Sequence, residues 1–269
     1  MKIRLDKALV ERGLAGSRER AQALVIAGRV LVGEQRVEKP GTPVEESAAL
    51  RVLGDDLRYV GRGGLKLERA IEYWGIDLAE RACVDVGAST GGFTDCMLQH
   101  GAASVLAIDT GYGQIAHKLR VDERVTLMER CNARLLEAGQ LVKQWSVVSG
   151  QWSEKDGAEG QVEISFLAMD VSFISATLVL PAVLGALARA GEVWRGEAVV
   201  LIKPQFEAGR EHVGKGGIVR EQAAREIAIE RVRTCVAESD GSGVEVIDSP
   251  ITGMEGNREY LLHANFGTA

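Results

Sequence analysis

Four apolar runs in this chain each end in a charged residue: Cys83-Val84-Asp85, Leu106-Ala107-Ile108-Asp109, Leu167-Ala168-Met169-Asp170 and Val200-Leu201-Ile202-Lys203. Short, continuously apolar runs bounded by turn residues read as buried strands. Stretches of helical pattern separate them, which predicts a mostly parallel sheet with helices on both faces, an α/β fold of the Rossmann-like kind. The expected strands are Ala82–Val86, Ser104–Asp109, Val125–Met128, Ile164–Met169, Ala198–Ile202, Val244–Ile247 and Tyr260–Ala264, with the last two an antiparallel pair at one edge. Open α/β sheets bind ligands beyond the carboxyl ends of their strands. Four charged residues at corresponding strand exits therefore predict one site along one sheet edge.

The first of these strands runs into Asp85-Val86-Gly87-Ala88-Ser89-Thr90-Gly91-Gly92-Phe93-Thr94-Asp95. A glycine-rich strand-to-helix turn lets a ligand approach the backbone. The spacing is neither that of dinucleotide binders nor that of a phosphate loop. Asp109 follows Asp85 by 24 residues and suits the hydroxyls of a ribose. A nucleoside without phosphates fits these parts better than NAD or ATP, and S-adenosyl-L-methionine is such a ligand. No C-x-x-C pair and no histidine cluster exists among Cys83, Cys96, Cys131, Cys235, His100, His117, His212 and His263, so no metal is expected. An uncharged stretch of 18 residues lies between Asp170 and Arg189, near the lower limit for a membrane span. Pro181, Gly185 and its strand-like start make it a strand end, a loop and a buried helix instead. Residues 143–160 show little periodicity and read as a surface excursion.

Charge divides the chain unevenly. Residues 1–31 carry seven basic and three acidic residues, whereas residues 61–269 carry 21 basic and 29 acidic ones. A basic module on an acidic body points to a polyanion partner. That module reads as two helices and a hairpin. Leu5, Leu9 and Val10 form the first stripe, Ser17 caps the second helix, Gly28 ends it, and a two-residue Gly33-Glu34 turn of type II′ joins two short strands. RLDKALVERGLAGSRERAQALVIAGRV with its hairpin resembles the S4 RNA-binding domain, which implies phosphate contacts by Arg4, Arg18, Arg20 and Arg29.

Further motifs follow in order: Arg62-Gly63-Gly64-Leu65-Lys66-Leu67-Glu68, DVGASTGGFTD, DVSFIS from Asp170, LIKPQFE from Leu201, GREHVGKGGIVR from Gly209 and GNREYLLH from Gly256. Together they resemble the TlyA family, ribosomal RNA 2′-O-methyltransferases with an S4 domain ahead of an FtsJ-type catalytic domain, often labelled hemolysin A. The implied organisation is an S4-type domain over residues 1–57, a linker over 58–62 and a Rossmann-like, adenosylmethionine-dependent methyltransferase domain over 63–269. The implied catalytic tetrad is Lys66, Asp170, Lys203 and Glu259, with Glu255 a rival for the fourth place. Lys203 would sit among Asp170 and Glu259 and act on the ribose hydroxyl, Lys66 would orient it, and the carboxylates would position both amines. A lysine flanked by two carboxylates is a poor base, so the proton role of Lys203 stays open.

Gly87, Ser89, Gly91, Gly92 and Phe93 are expected around the methionine part of the cofactor, Asp109 at its ribose and Asn132 near the adenine, with Asp85 a further cofactor-binding residue at the strand exit. Arg62 and Lys215 would add RNA contacts. The implied partners are ribosomal RNA or ribosomal subunits, with no DNA, no membrane insertion, a monomeric state and a cytoplasmic location. Two other readings stay open: an RNA- or ribosome-binding protein with an inactive methyltransferase fold, and a membrane-active hemolysin.

Overall fold

The computed structural model describes residues 2–15, 17–26, 28–53, 58–148, 163–189, 191–253 and 256–267. The backbone divides into two compact units, Met1–Arg58 and Tyr59–Ala269. The first contains β1 (Lys2–Arg4), α1 (Leu5–Glu11), α2 (Arg18–Ile26), β2 (Val30–Val32), β3 (Gln35–Arg36), β4 (Pro43–Glu45) and β5 (Leu50–Val52). Its core is Leu5, Ala8, Leu9, Ala21, Leu24, Val25 and Val30, the apolar stripes of both helices closed by the hairpin. The Ser17 hydroxyl caps α2 by accepting from Arg20 N at 3.2 Å. Gly33 has φ 62°, as the first position of a type II′ turn requires, and Val32 faces Gln35 across it. Pro43 begins β4. β4 pairs antiparallel with β1, and Pro43 fits at the start of a two-stranded edge where no N–H is needed.

Buried Asp6 organises this unit. Its carboxylate accepts from Arg4 Nε (3.0 Å) and Nη2 (2.9 Å), Arg18 Nε (3.2 Å) and Gln22 Nε2 (3.0 Å). The Arg4 hydrogen bonds hold the Asp6 carboxyl well below the usual carboxylate range, with Gln22 and Arg18 adding to the effect against the cost of burial. A depressed acid contributes stability above its unfolded pKa and loses it as pH falls. Asp6→Asn is therefore expected to lower the midpoint of the first unit at pH 7. The gap to the wild type should shrink as pH drops below about 4, the unfolded value, and chemical denaturation followed at several pH values checks this.

The second unit contains α3 (Gly63–Trp74), β6 (Ala82–Val86), α4 (Gly92–Gln99), β7 (Ser104–Ile108), α5 (His117–Arg120), β8 (Val125–Met128), α6 (Gln140–Val148), β9 (Ile164–Met169), α7 (Leu180–Leu187), β10 (Gly196–Ile202), α8 (Pro204–Glu207), α9 (Gln222–Glu238), β11 (Gly241–Asp248) and β12 (Tyr260–Phe266). The strands form one sheet in the order β11-β12-β10-β9-β6-β7-β8. β10, β9, β6, β7 and β8 are parallel, and β12 runs antiparallel to both β10 and β11. Strand parity divides the core. Val84, Val86, Leu106, Ile108, Leu167, Met169, Val200 and Ile202 pack under α7 and α9. Cys83, Val105, Ala107, Phe166, Ala168, Val199 and Leu201 pack under α3 and α4.

Residues 140–148, partly assigned to the surface excursion, form α6 with Trp145 buried in the core, so tertiary burial decides there where periodicity was weak. The rest of the excursion, 149–162 with Trp152, lies outside the described residues. The uncharged 171–188 stretch resolves into a loop, a 3-10 turn at Ala176–Leu178 and the eight-residue α7. None of the described helices is long and apolar enough to cross a membrane.

Candidate active site

β6 is flanked by β7 on one side and β9 on the other, so the chain reverses its direction across the sheet at this point. Past their paired carboxyl ends β6 leads to α4 on one face of the sheet and β9 to α7 on the other, and the crevice at such a point is where open α/β sheets bind ligands. A cavity of about 490 Å³ opens there. Lys66, Asp170, Lys203 and Glu259 all line it, as do Arg62, Gly87, Ser89, Gly92 and Phe93.

The four charged side chains form one chain of contacts. Glu259 Oε2 lies 2.6 Å from Lys66 Nζ, which is 3.6 Å from Asp170 Oδ2. Asp170 Oδ1 is 2.6 Å from Lys203 Nζ, which donates to Ser172 Oγ at 2.6 Å. The order corrects one expectation. Lys66, not Lys203, is bracketed by two carboxylates. Lys203 leaves β10 beside β9 and meets the residues that follow β9, whereas Glu259 enters β12 on the far side of β10 and meets α3. Lys66, Lys203 and Glu259 are buried. Glu255 lies outside the described residues.

Glycines explain how Lys66 reaches this cavity from a different helix. A Cβ on Gly64 would run into the Tyr59 ring, and one on Gly92 would sit 2.9 Å from Gly64 N. Only hydrogens at these positions let α3 lie against the start of α4. The neighbouring Gly87 has φ 88°, and its added Cβ would sit 2.5 Å from the Asp170 carbonyl oxygen. The loop after β6 and the exit of β9 thus touch backbone to backbone.

The remaining expected cofactor residues separate. Asp85 lies beneath the loop, fully buried, with Oδ2 accepting from Thr94 N (2.9 Å) and Oγ1 (2.6 Å). Its Oδ1 has no hydrogen-bond partner among the described residues. Burial raises its carboxyl to about 7; Thr94 opposes that rise, and the charges of Asp170 and Asp109 add to it. An acid with a raised folded pKa costs stability as pH climbs from its unfolded value to its folded one. Asp85→Asn, isosteric with the neutral acid, is expected to melt near the wild type below about pH 4, the unfolded value, and increasingly above it as pH rises to 8; a thermal melt series over that range checks it.

Gly91, at φ 93°, precedes α4. Asp109 accepts from Ser89 N (2.7 Å) and Gly111 N (2.6 Å) and lines a small adjoining cleft with Ala88, Gly111, Gln114, Ile115 and Leu127. Each carboxylate oxygen keeps a lone pair for a ribose hydroxyl. Asn132 is exposed, caps the 3-10 turn at Ala133–Leu135 by accepting from Arg134 N, and lines neither cavity. Lys215 is exposed near the tip of a turn closed by a Gly214–Ile218 bridge. In the first unit, Arg4 and Arg18 converge on Asp6, and Arg29 Nε donates to Leu53 O at 2.9 Å.

Four residues that sequence reasoning passed over complete the site. Ser172 receives Lys203. Phe173 lines the cavity at φ 65°, is 92% exposed, and lies 5.6 Å from the Phe206 ring. Buried Glu207 accepts from Ser175 Oγ (2.5 Å) and Ala176 N (2.7 Å), fixing the far end of the loop that carries Asp170, Ser172 and Phe173. Buried Asn257 accepts from Val219 N and donates to Gly217 O, tying the Gly209–Arg220 loop to the approach to β12. Three lie in or next to DVSFIS and LIKPQFE, and Asn257 lies in GNREYLLH. The motifs were visible in sequence, but the partners of these side chains were not.

The fold and the charged crevice define an FtsJ-like methyltransferase. The family model of that description matches residues 59–266, and an S4 domain model matches residues 3–50, so the chain belongs to this family. It is 41% identical over 262 residues to the 16S/23S rRNA (cytidine-2'-O)-methyltransferase TlyA of Mycobacterium tuberculosis (strain ATCC 25618 / H37Rv), covering 97% of this chain and 89% of that protein. It is 37% identical over 261 residues to hemolysin A of Brachyspira hyodysenteriae, covering 97% of this chain and 99% of that protein. A solved structure of a hemolysin-named protein from Streptococcus thermophilus superposes with a TM-score of 0.69 at 40% identity, over 98% of this chain and 88% of that one.

Proposed function

We propose that this chain transfers a methyl group from S-adenosylmethionine to the ribose 2′-oxygen of a cytidine in ribosomal RNA, with residues 1–57 as an RNA-binding domain. The observation that carries this reading is the alternating cluster Glu259–Lys66–Asp170–Lys203 in a crevice beside a glycine-rich loop. The residues fit the cofactor. The crevice is large enough for a nucleoside-sized ligand, the 87–92 loop offers close backbone approach, and Asp109 stands at the next strand exit. When bound, adenosylmethionine supplies a methyl already activated on a sulfonium, so the protein's task is the nucleophile.

A ribose hydroxyl is a weak nucleophile and needs a group to take its proton as the oxygen attacks. Lys203 has fewer charge contacts than Lys66. It shares one carboxylate and rests on a hydroxyl that can accept from an ammonium or donate to an amine. It is assigned the proton of the 2′-hydroxyl. Lys66, clamped by Asp170 and Glu259, offsets charge developing on the oxygen. Exposed Phe173, held in a left-handed conformation that a bulky side chain rarely adopts, offers a ring on which a splayed-out base can stack. Arg62 at the cavity and Arg4 and Arg18 in the first unit supply cations for phosphates.

The test is transfer of labelled methyl to unmodified small and large ribosomal subunits. The expected result is label in the RNA of at least one subunit. Cofactor binding with no label on either subunit or on extracted RNA would favour a binding protein instead.

A further inference from the structure

We propose that Gln205 reads the Watson–Crick edge of the target base and so sets its identity. This rests on the ribose-methylation reading above. Gln205 lines the same cavity as the four charged residues. Those four are engaged with one another, and Ser172 is engaged with Lys203. Gln205 differs: its side-chain oxygen is shielded from solvent and has no hydrogen-bond partner among the described residues. A shielded carbonyl left unmatched is costly, and in native proteins such atoms are completed by a partner.

Its place in the chain says what that partner is. Gln205 stands two residues after Lys203, on the helical turn α8, and directly before Phe206, whose ring lies 5.6 Å from exposed Phe173. One short segment thus carries the amine assigned to the ribose and a ring beside the stacking platform, with a carboxamide between them. An enzyme acting on an unstacked nucleotide reads it through hydrogen bonds to its Watson–Crick edge.

A carboxamide presents an acceptor and a donor side by side. Cytosine presents the complement, with the N4 amine as donor next to the N3 acceptor. Gln205 Oε1 accepts from N4 while Nε2 donates to N3. Uracil seated in the same way places its O4 acceptor against the Gln205 oxygen and loses both bonds as long as the carboxamide keeps the orientation in which its oxygen is shielded; turning it over to suit uracil moves that oxygen out of its place.

The test uses the full chain and RNA carrying either cytidine or uridine at the nucleotide that receives the methyl. The wild type is expected to favour cytidine in kcat/KM by about tenfold to a hundredfold, the range for one good bidentate base contact. Gln205→Leu and the slimmer Gln205→Met are expected to bring the two RNAs to within about threefold of each other, mainly by losing rate on cytidine. Cofactor affinity and melting temperature should stay near the wild type. A wild-type preference that persists in whichever variant folds and binds cofactor would overturn the assignment of Gln205 alone. A wild type without preference would do the same. Silence of the wild type on both RNAs would overturn the methylation reading and this assignment together.

Discussion

Lys203→Ala is expected to lower the rate of methyl transfer by about 10²–10⁴-fold, the usual contribution of a positioned proton acceptor, while cofactor affinity stays within about twofold. The reason is positional. Lys203 Nζ sits between Asp170 Oδ1 and Ser172 Oγ on the wall of the crevice, outside the adjoining cleft that Asp109 lines. Lys203→Arg separates charge from proton transfer. A guanidinium keeps the positive charge but does not give up its proton in proteins, so this variant should fall nearly as far as the alanine. Recovery of most of the rate by arginine would mean that Lys203 acts only as a charge. Single-turnover transfer with saturating cofactor, beside a cofactor titration, makes the comparison.

Gly87→Ala is expected to do comparable damage without touching an ionisable group. A side chain at φ 88° is strained by about 1–3 kcal/mol. The added Cβ also meets the Asp170 carbonyl oxygen at 2.5 Å, which is backbone and cannot swing aside. The exit of β9 must shift, and with it Asp170, the carboxylate shared by both lysines. A displacement of about 1 Å at a reacting centre costs on the order of 10²-fold in rate. The same shift deforms the loop that cradles the cofactor. Gly87→Ala should therefore lose both cofactor affinity and turnover, whereas Lys203→Ala loses turnover alone. Calorimetric titration of the two variants separates the cases.

Much of this architecture was legible in the chain. Apolar runs of four to eight residues can only be buried on both faces, and alternating residues Val84 and Val86 against Cys83 do go to opposite cores. The strand-exit charges converge because parallel strands share a carboxyl edge. The adjacency within the site was less legible. Sequence order and sheet order both allow Lys203 to meet Glu259, since β10 borders β12 as well as β9 and Ile202 lies opposite Tyr260. Only the side-chain contacts decide, with Glu259 taken by Lys66 and Lys203 by Asp170 and Ser172. Ser172, Phe173, Gln205 and Glu207 belong to visible motifs, but a serine that receives a lysine and a serine in an ordinary turn look alike in one dimension. The arginines of the first unit show the converse. Their basic pattern was readable, while the buried Asp6 that gathers Arg4 and Arg18 was counted only as charge.

The position of the transferred methyl is the most direct test of ribose methylation by Lys203. RNA from subunits treated with the protein and labelled cofactor is digested to nucleosides and resolved by mass. The expected product is 2′-O-methylcytidine, with the added mass on the ribose fragment, and it disappears with Lys203→Ala. Label on the base fragment, or ribose label undiminished by that substitution, would contradict ribose methylation by Lys203.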